Sequence, residues 1–75
     1  MKILFFGQLT DITQQSECMI DNVEDTNQLI EKIHSLYPAI KNCKYRIAVD
    51  KKMITGNTEL NIHSTIALLP PFSGG

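Results

Sequence analysis

Few side chains in this 75-residue chain have the type and spacing to do chemistry. His34 and His63 stand alone, with no cysteine or carboxylate partner at metal-ligand spacing. They are expected to be surface or hydrogen-bonded histidines, and no metal site is expected. Cys18 and Cys43 lack CxxC spacing and are too few for a disulfide scaffold, which points to reduced thiols in a cytoplasmic protein. Ser16, Ser35, Ser64 and Ser73 sit in no GxSxG-like nucleophile motif, and Gly7, Gly56, Gly74 and Gly75 form no phosphate-binding loop.

The remaining candidate is the main chain at residue 75. The sequence runs out through Pro70-Pro71-Phe72-Ser73-Gly74-Gly75. Two prolines lack the N–H that a strand ladder needs and favour extended polyproline geometry. The expected result is a stiff arm that leaves the domain at Pro70 and reaches about 20 Å at ~3.3 Å per residue. Gly74 and Gly75 carry no Cβ, so they can thread a narrow channel and let another protein approach the terminal carbonyl. A main-chain carboxylate, with a reference pKa of about 3.3–3.7, is ionised at neutral pH. It can attack the α-phosphate of ATP, and the resulting acyl adenylate yields to sulfur or amine nucleophiles. A Gly-Gly end occurs by chance in about 0.5% of chains at average glycine usage. The signal therefore lies in the combination of Gly-Gly with a proline-stiffened arm.

The elements that must carry this arm can be read from the hydrophobic pattern. Residues 1–7, MKILFFG, predict a largely buried strand closed by Gly7. The polar stretch 8–15 is read as a connection. Residues 16–21 alternate as a half-exposed strand, antiparallel to the first because the connection is short. Residues 25–37 predict a helix whose buried stripe is Leu29, Ile30, Ile33, Leu36 and Tyr37. Asp25 or Thr26 caps it, Asp25 with Gln28 having capping-box form, and Pro38 ends it. After a connection over 39–44, with room for a short helical turn, come a strand over 45–50, a turn at Asp50-Lys51-Lys52, a short return strand at Met53-Ile54, a loop at 55–57, two apolar anchors at Leu60 and Ile62, and a last strand over 64–69.

One helix on one face of a mixed sheet buries the helix stripe economically. The most apolar strands, first and last, belong side by side in the centre. They are parallel, with the helix supplying the crossover. The expected fold is α+β: a β-grasp (ubiquitin-like) domain over 1–69 and an extended tail over 70–75. Ile3, Phe5, Cys18, Ile20, Ile47, Val49, Ile66 and Leu68 then face the helix. Leu4, Phe6, Ala48, Ala67 and Leu69 fall on the outer face, either partly covered by loops or forming a docking face.

Composition narrows the function. A single 8.5 kDa domain with 43% hydrophobic and 20% charged residues is an ordinary globular chain,. Its size makes an enclosed catalytic pocket of about 300 Å³ or more unexpected, so a carrier, binding or subunit role fits better than a stand-alone enzyme. A net charge of −1 argues against nucleic acid as main partner,. No apolar run is long enough for a membrane span, and no signal peptide is recognised. Residues 1–40 carry two lysines against six carboxylates, and residues 41–75 carry five basic against two acidic side chains. The basic cluster is a solvated surface or steers docking onto an acidic partner.

MKILFFGQL at the start, residues 26–29 at the helix start, Ala48-Val49-Asp50 in the third strand and IALLPPFSGG at the end together resemble the small, sulfur-carrier subunits of molybdopterin synthase, a ubiquitin-like family. The tail is the most specific match, position by position from Pro70 to Gly75. Carriers for thiamine synthesis also end in Gly-Gly but usually lack the double proline. The resemblance implies that an E1-like activating enzyme uses ATP to adenylate the Gly75 carboxylate, and that a persulfide donor converts it to a thiocarboxylate. It implies further that residues Pro70, Pro71, Phe72, Ser73 and Gly74 carry it into the active site of a large subunit. Sulfur then passes to cyclic pyranopterin monophosphate to build the dithiolene that holds molybdenum. The large subunit supplies the catalytic side chains, in an assembly of two small and two large subunits, and the small chain binds no cofactor. Leu4, Phe6 and Leu69 are the expected partner interface. The family usually carries an Asp-Gly-Asp turn before the last strand; this chain has Ile62-His63-Ser64-Thr65. The alternatives are a carrier for another sulfur pathway, a ubiquitin-like modifier, or a β-grasp binding module in which Gly-Gly is incidental.

Overall fold

The computed structural model describes residues 1–71. Its elements are β1 (Lys2–Phe5), α1 (Gln8–Thr13), β2 (Glu17–Met19), α2 (Thr26–Leu36), a 3₁₀ helix (Pro38–Asn42), β3 (Arg46–Val49), β4 (Lys52–Met53) and β5 (Thr65–Leu69). The five strands form one sheet in the order β2-β1-β5-β3-β4. β1 and β5 pair in parallel at its centre, and the other three pairings are antiparallel. This is the β-grasp arrangement expected from the sequence.

The inner face is the core. Ile3, Ile66, Leu68, Leu29, Ile33 and Ile40 are completely shielded from solvent, with Phe5, Leu9 and Ile20 nearly so. Cross-strand registers align Cys18, Ile3, Ile66 and Val49 in one row and Phe5, Leu68 and Ile47 in the next. Cys18, Ile47 and Val49 are half-buried because they lie nearer the sheet's margins. α2 lays Thr26, Leu29 and Ile33 onto this face. Asp25 caps it as expected, Gln28 N–H donating to Asp25 Oδ1 at 2.9 Å,. The Gln28 side chain, however, accepts from Glu24 N–H at 2.9 Å, one residue before the cap, rather than from Asp25 N–H as a capping box has it,.

Four local expectations are corrected. Residues 8–13 form a helix rather than a plain connection, because Leu9, Ile12 and Thr13 share a face and bury Leu9 and Thr13 under a polar exterior,. Leu36 is 55% exposed; Tyr37, edge-on to Phe5 with ring centroids 5.8 Å apart, and Ile40 fill the core at that end of α2. Ile62 is 73% exposed and anchors nothing, whereas Leu60 packs on the core and its N–H donates to Glu24 O. The hairpin between β3 and β4 turns on two residues, Asp50 and Lys51. Both have positive φ, as a type I′ turn requires, so Lys52 is already strand,.

The turn before β5 closes without a glycine. Ser64 N–H donates to Asn61 O at 3.0 Å, Asn61 N–H donates to Ser64 Oγ at 3.0 Å, and His63 N–H donates to Asn61 Oδ1 at 2.8 Å. Positive φ among the described residues falls at Gly7, Gln14, Asn22, Asp50 and Lys51, outside this turn.

Truncating Ile33 to alanine is expected to cost about 2–5 kcal/mol, because its side chain is fully enclosed,. Leu36→Ala is expected to stay within about 0.5 kcal/mol, since its side chain is largely solvated,. Urea denaturation of both variants checks the pair; equal losses would contradict this packing.

Candidate docking face and tail base

The outer face of the sheet follows from strand alternation. Leu4, Ala67, Ala48 and Met53 line up across β1, β5, β3 and β4. Leu69 stands opposite Arg46 in the next row, and Phe6 continues the same face beyond β1, its N–H donating to Leu68 O at 3.2 Å. The two alanines floor a groove of about 540 Å³ walled by Leu4, Phe6, Met53 and Leu69. Asp50 and Lys51 of the β-hairpin close one end. The Asp50 carboxylate accepts from Thr65 N–H at 3.0 Å, which ties that end to β5. Phe6 and Met53 remain 43% and 45% exposed.

Leu4, Phe6 and Leu69 are therefore brought together as the sequence predicted, and among the described residues no loop covers the groove. Ala48 is nevertheless buried, because its short side chain lies below the larger neighbours. Met53 does not stand out in the sequence; counting the hairpin turn as two residues rather than three puts it on this face. A second open groove, of about 420 Å³, lies where Ile30 of α2 meets Tyr45, Ile47 and Ile54. Chain length thus does not preclude concavities of this volume, though both are open.

β5 runs along the groove and ends at Leu69, where Pro70 and Pro71 follow, both half-buried. Phe72, Ser73, Gly74 and Gly75 lie outside the described residues, so the expected tail-insertion and reactive positions are described only as far as Pro71.

His34 Nε2 and the Tyr45 hydroxyl lie 2.9 Å apart, a satisfied pair, and burial pushes the Tyr45 phenol above its ordinary pKa. Burial likewise pushes the Cys18 thiol up, which disfavours the thiolate a nucleophile needs,. Among the described residues no group of three or more His, Cys, Asp or Glu gathers to hold a metal ion, and no helix is long and apolar enough to cross a membrane.

The chain matches the ThiS family over residues 3–75. It is 32% identical over 81 residues to a molybdopterin synthase sulfur carrier subunit of Caenorhabditis elegans, covering all of this chain and 96% of that one. In structure it resembles small archaeal modifier protein 1 of Methanosarcina acetivorans (TM-score 0.82, 21% identity, 99% and 94% of the two chains). It also resembles a chain in the complex of subunits 1 and 2 of molybdopterin-converting factor from Helicobacter pylori (TM-score 0.73, 27% identity, 99% and 96% covered). A β-grasp sheet with its two central strands parallel, an open apolar outer face and a match that reaches through the tail to residue 75 converge on one assignment: the chain belongs to the ThiS family.

Proposed function

We propose that the chain is the sulfur-carrier subunit of a molybdopterin synthase, with Gly75 as its reactive residue. The observation that carries this reading is continuity. The strand that runs along the apolar groove is the one that becomes the Pro70-Pro71 arm, so a partner seated on Leu4, Phe6 and Leu69 receives the tail at the same time. The family match extends across the tail, and the Caenorhabditis elegans relative bears this function in its name. The Helicobacter pylori neighbour was solved as a two-subunit complex, which supports a large-subunit partner for the groove.

The chemistry proposed for Gly75 needs no side chain of this protein. Its carboxylate oxygen attacks the α-phosphorus of ATP on an activating enzyme, forming an acyl adenylate and releasing pyrophosphate. The terminal sulfur of a persulfide displaces AMP from the carbonyl carbon. A thiol then attacks the donor's sulfur of the acyl disulfide, forming a disulfide with the donor and releasing the thiocarboxylate. In the large subunit that sulfur passes to cyclic pyranopterin monophosphate, and water restores the carboxylate. Pro70 and Pro71 reduce the entropy lost when the arm is ordered in that site. A second reading, a carrier that serves a thiamine-type acceptor, is favoured by the ThiS match itself. The double proline favours the first.

Incubation with the activating enzyme, ATP and a persulfide donor is expected to exchange one oxygen of Gly75 for sulfur, read by intact mass. Conversion of the pyranopterin rather than a thiazole precursor then separates the two readings. Deleting Gly75, or adding one residue after it, displaces the acid from its aligned position, where about 1 Å costs roughly 100-fold in rate. Both variants are expected to lose ATP–pyrophosphate exchange and sulfur delivery while stability stays within about 0.5 kcal/mol. Full activity of both, without trimming back to Gly75, contradicts the carrier reading.

Phe6→Glu places a charge in the groove wall. It is expected to weaken large-subunit binding by at least about 2 kcal/mol, roughly 30-fold, with the folded monomer retained. Titration calorimetry beside a thermal melt checks this; undiminished binding would remove the groove from the interface. Replacing both Pro70 and Pro71 with glycine is expected to leave the melt unchanged and slow sulfur delivery. A wild-type rate would show that stiffness has no role.

A further inference from the structure

The parallel register of β1 and β5 pairs Lys2 with Thr65, Ile3 with Ile66, Leu4 with Ala67 and Phe5 with Leu68. Carried two residues further, it sets Gly7 opposite Pro70, the first residue of the tail. Continuing the ladder would require the residue-70 N–H to donate to Phe6 O, after Phe6 N–H has donated to Leu68 O,. Proline has no such donor. Phe6 O instead accepts from Leu9 N–H at 3.2 Å and Gly7 O accepts from Thr10 N–H at 3.1 Å, so β1 turns away into α1 where β5 gives way to the tail.

Gly7 makes that turn with φ +60° and ψ −139°, a conformation that L side chains rarely adopt,. The space a side chain would need is also taken. A Cβ at residue 7 would lie 2.6 Å from Pro70 Cγ, 3.6 Å from its Cδ and 3.8 Å from its Cβ. The Pro70 ring therefore rests against the bare Cα of Gly7, and the contact belongs to a ring that cannot swing aside as a free chain end would.

We propose that Gly7 is a positioning residue for the reactive tail: the missing side chain is the seat of the Pro70 ring, and the seat sets the direction in which the chain leaves the docking face at Pro70 and Pro71. This rests on the carrier reading above. Its consequence for transfer is geometric. Groove and tail engage one partner at two points joined through Pro70, and the second engagement depends on the first only if the exit direction lets both be made together. Gly7 touches neither partner nor reacting atom in this scheme; it acts through Pro70.

The test is a double-mutant cycle on the full chain: Gly7→Ala, Pro70→Ala, and both together. Pro70→Ala removes the ring carbon that would lie 2.6 Å from a Cβ at residue 7, whereas the strain of positive φ at residue 7 is common to both backgrounds and cancels,. Each variant is thiocarboxylated, and single-turnover sulfur delivery is measured beside a urea melt and the NMR cross-peak between the Gly7 α-protons and the Pro70 ring. Gly7→Ala is expected to displace the carbon shifts of Pro70 and Pro71 and to slow delivery by about tenfold or more. In the Pro70→Ala background the same substitution is expected to change the rate by less than about threefold. An equal loss in both backgrounds, or no loss in either, overturns the proposal, as does a wild-type chain without the cross-peak. If Gly7→Ala does not fold, recovery of folding in the double variant supports the seat, and an unfolded double variant overturns it. A wild-type chain that takes up no sulfur contradicts the carrier reading instead, while the cross-peak and carbon shifts still decide the seat.

Discussion

The structure depends on the parallel pairing of its first and last strands. Parallel neighbours cannot be joined by a tight turn, so residues 6–64 must act as one long crossover. The crossover brings α2 across one face, where Leu29 and Ile33 seal the core over Ile3, Ile66 and Leu68. With its partners β1 and β3 on either side, β5 is buried in the middle of the sheet and has no choice of register. A one-residue slip would turn Ile66 and Leu68 outward and Ala67 inward,. The position at which the chain emerges as a tail is thereby fixed by the best-packed part of the protein.

That explains what was legible from sequence and what was not. The central strands, the helix cap at Asp25 and the apolar outer face were readable, because each rests on a strong local pattern: period-two apolar residues, an Asp-x-x-Gln start, two prolines at a strand's end. α1 was not, because a six-residue helix gives fewer than two turns of periodicity and only Leu9 and Ile12 as apolar residues among polar ones,. Leu36 and Ile62 have the right residue type for the core, but burial is decided by what else competes for the space. Tyr37 and Ile40 fill one site and Leu60 the other. Gly7 was readable as the end of a strand. Its contact with Pro70 joins residues far apart in the chain and needs the strand register to be seen.

The turn before β5 shows how the last strand is started in register without a glycine. The segment His63-Ser64-Thr65 closes the chain with no glycine. Here Asn61 and Ser64 exchange hydrogen bonds through main chain and side chains. Asp50 of the neighbouring hairpin then takes both the Thr65 N–H, through its carboxylate, and the Thr65 carbonyl, through its own N–H. These bonds start β5 in register at Thr65, and strand length places Leu69 and Pro70.

A small sheet offers a partner its edges or its face, and this one has weak edges. β4 is two residues long and β2 three, with Glu17, Lys52 and exposed side chains along them, so neither presents enough unpaired backbone to template another strand,. The outer face is different in kind. Ala48 and Ala67 lower its centre, Leu4, Phe6, Met53 and Leu69 raise its walls, and Lys2, Glu17, Asp50, Lys51 and Arg46 supply charge around it. Apolar surface of this sort is a liability for a free domain whose own core yields only about 3–5 kcal/mol, unless something covers it. A reactive group carried on the main chain beyond Pro71, as proposed above, would leave the domain no catalytic demand except aim. The residues that would otherwise build a pocket are then free to build a flat core on one side and a docking face on the other.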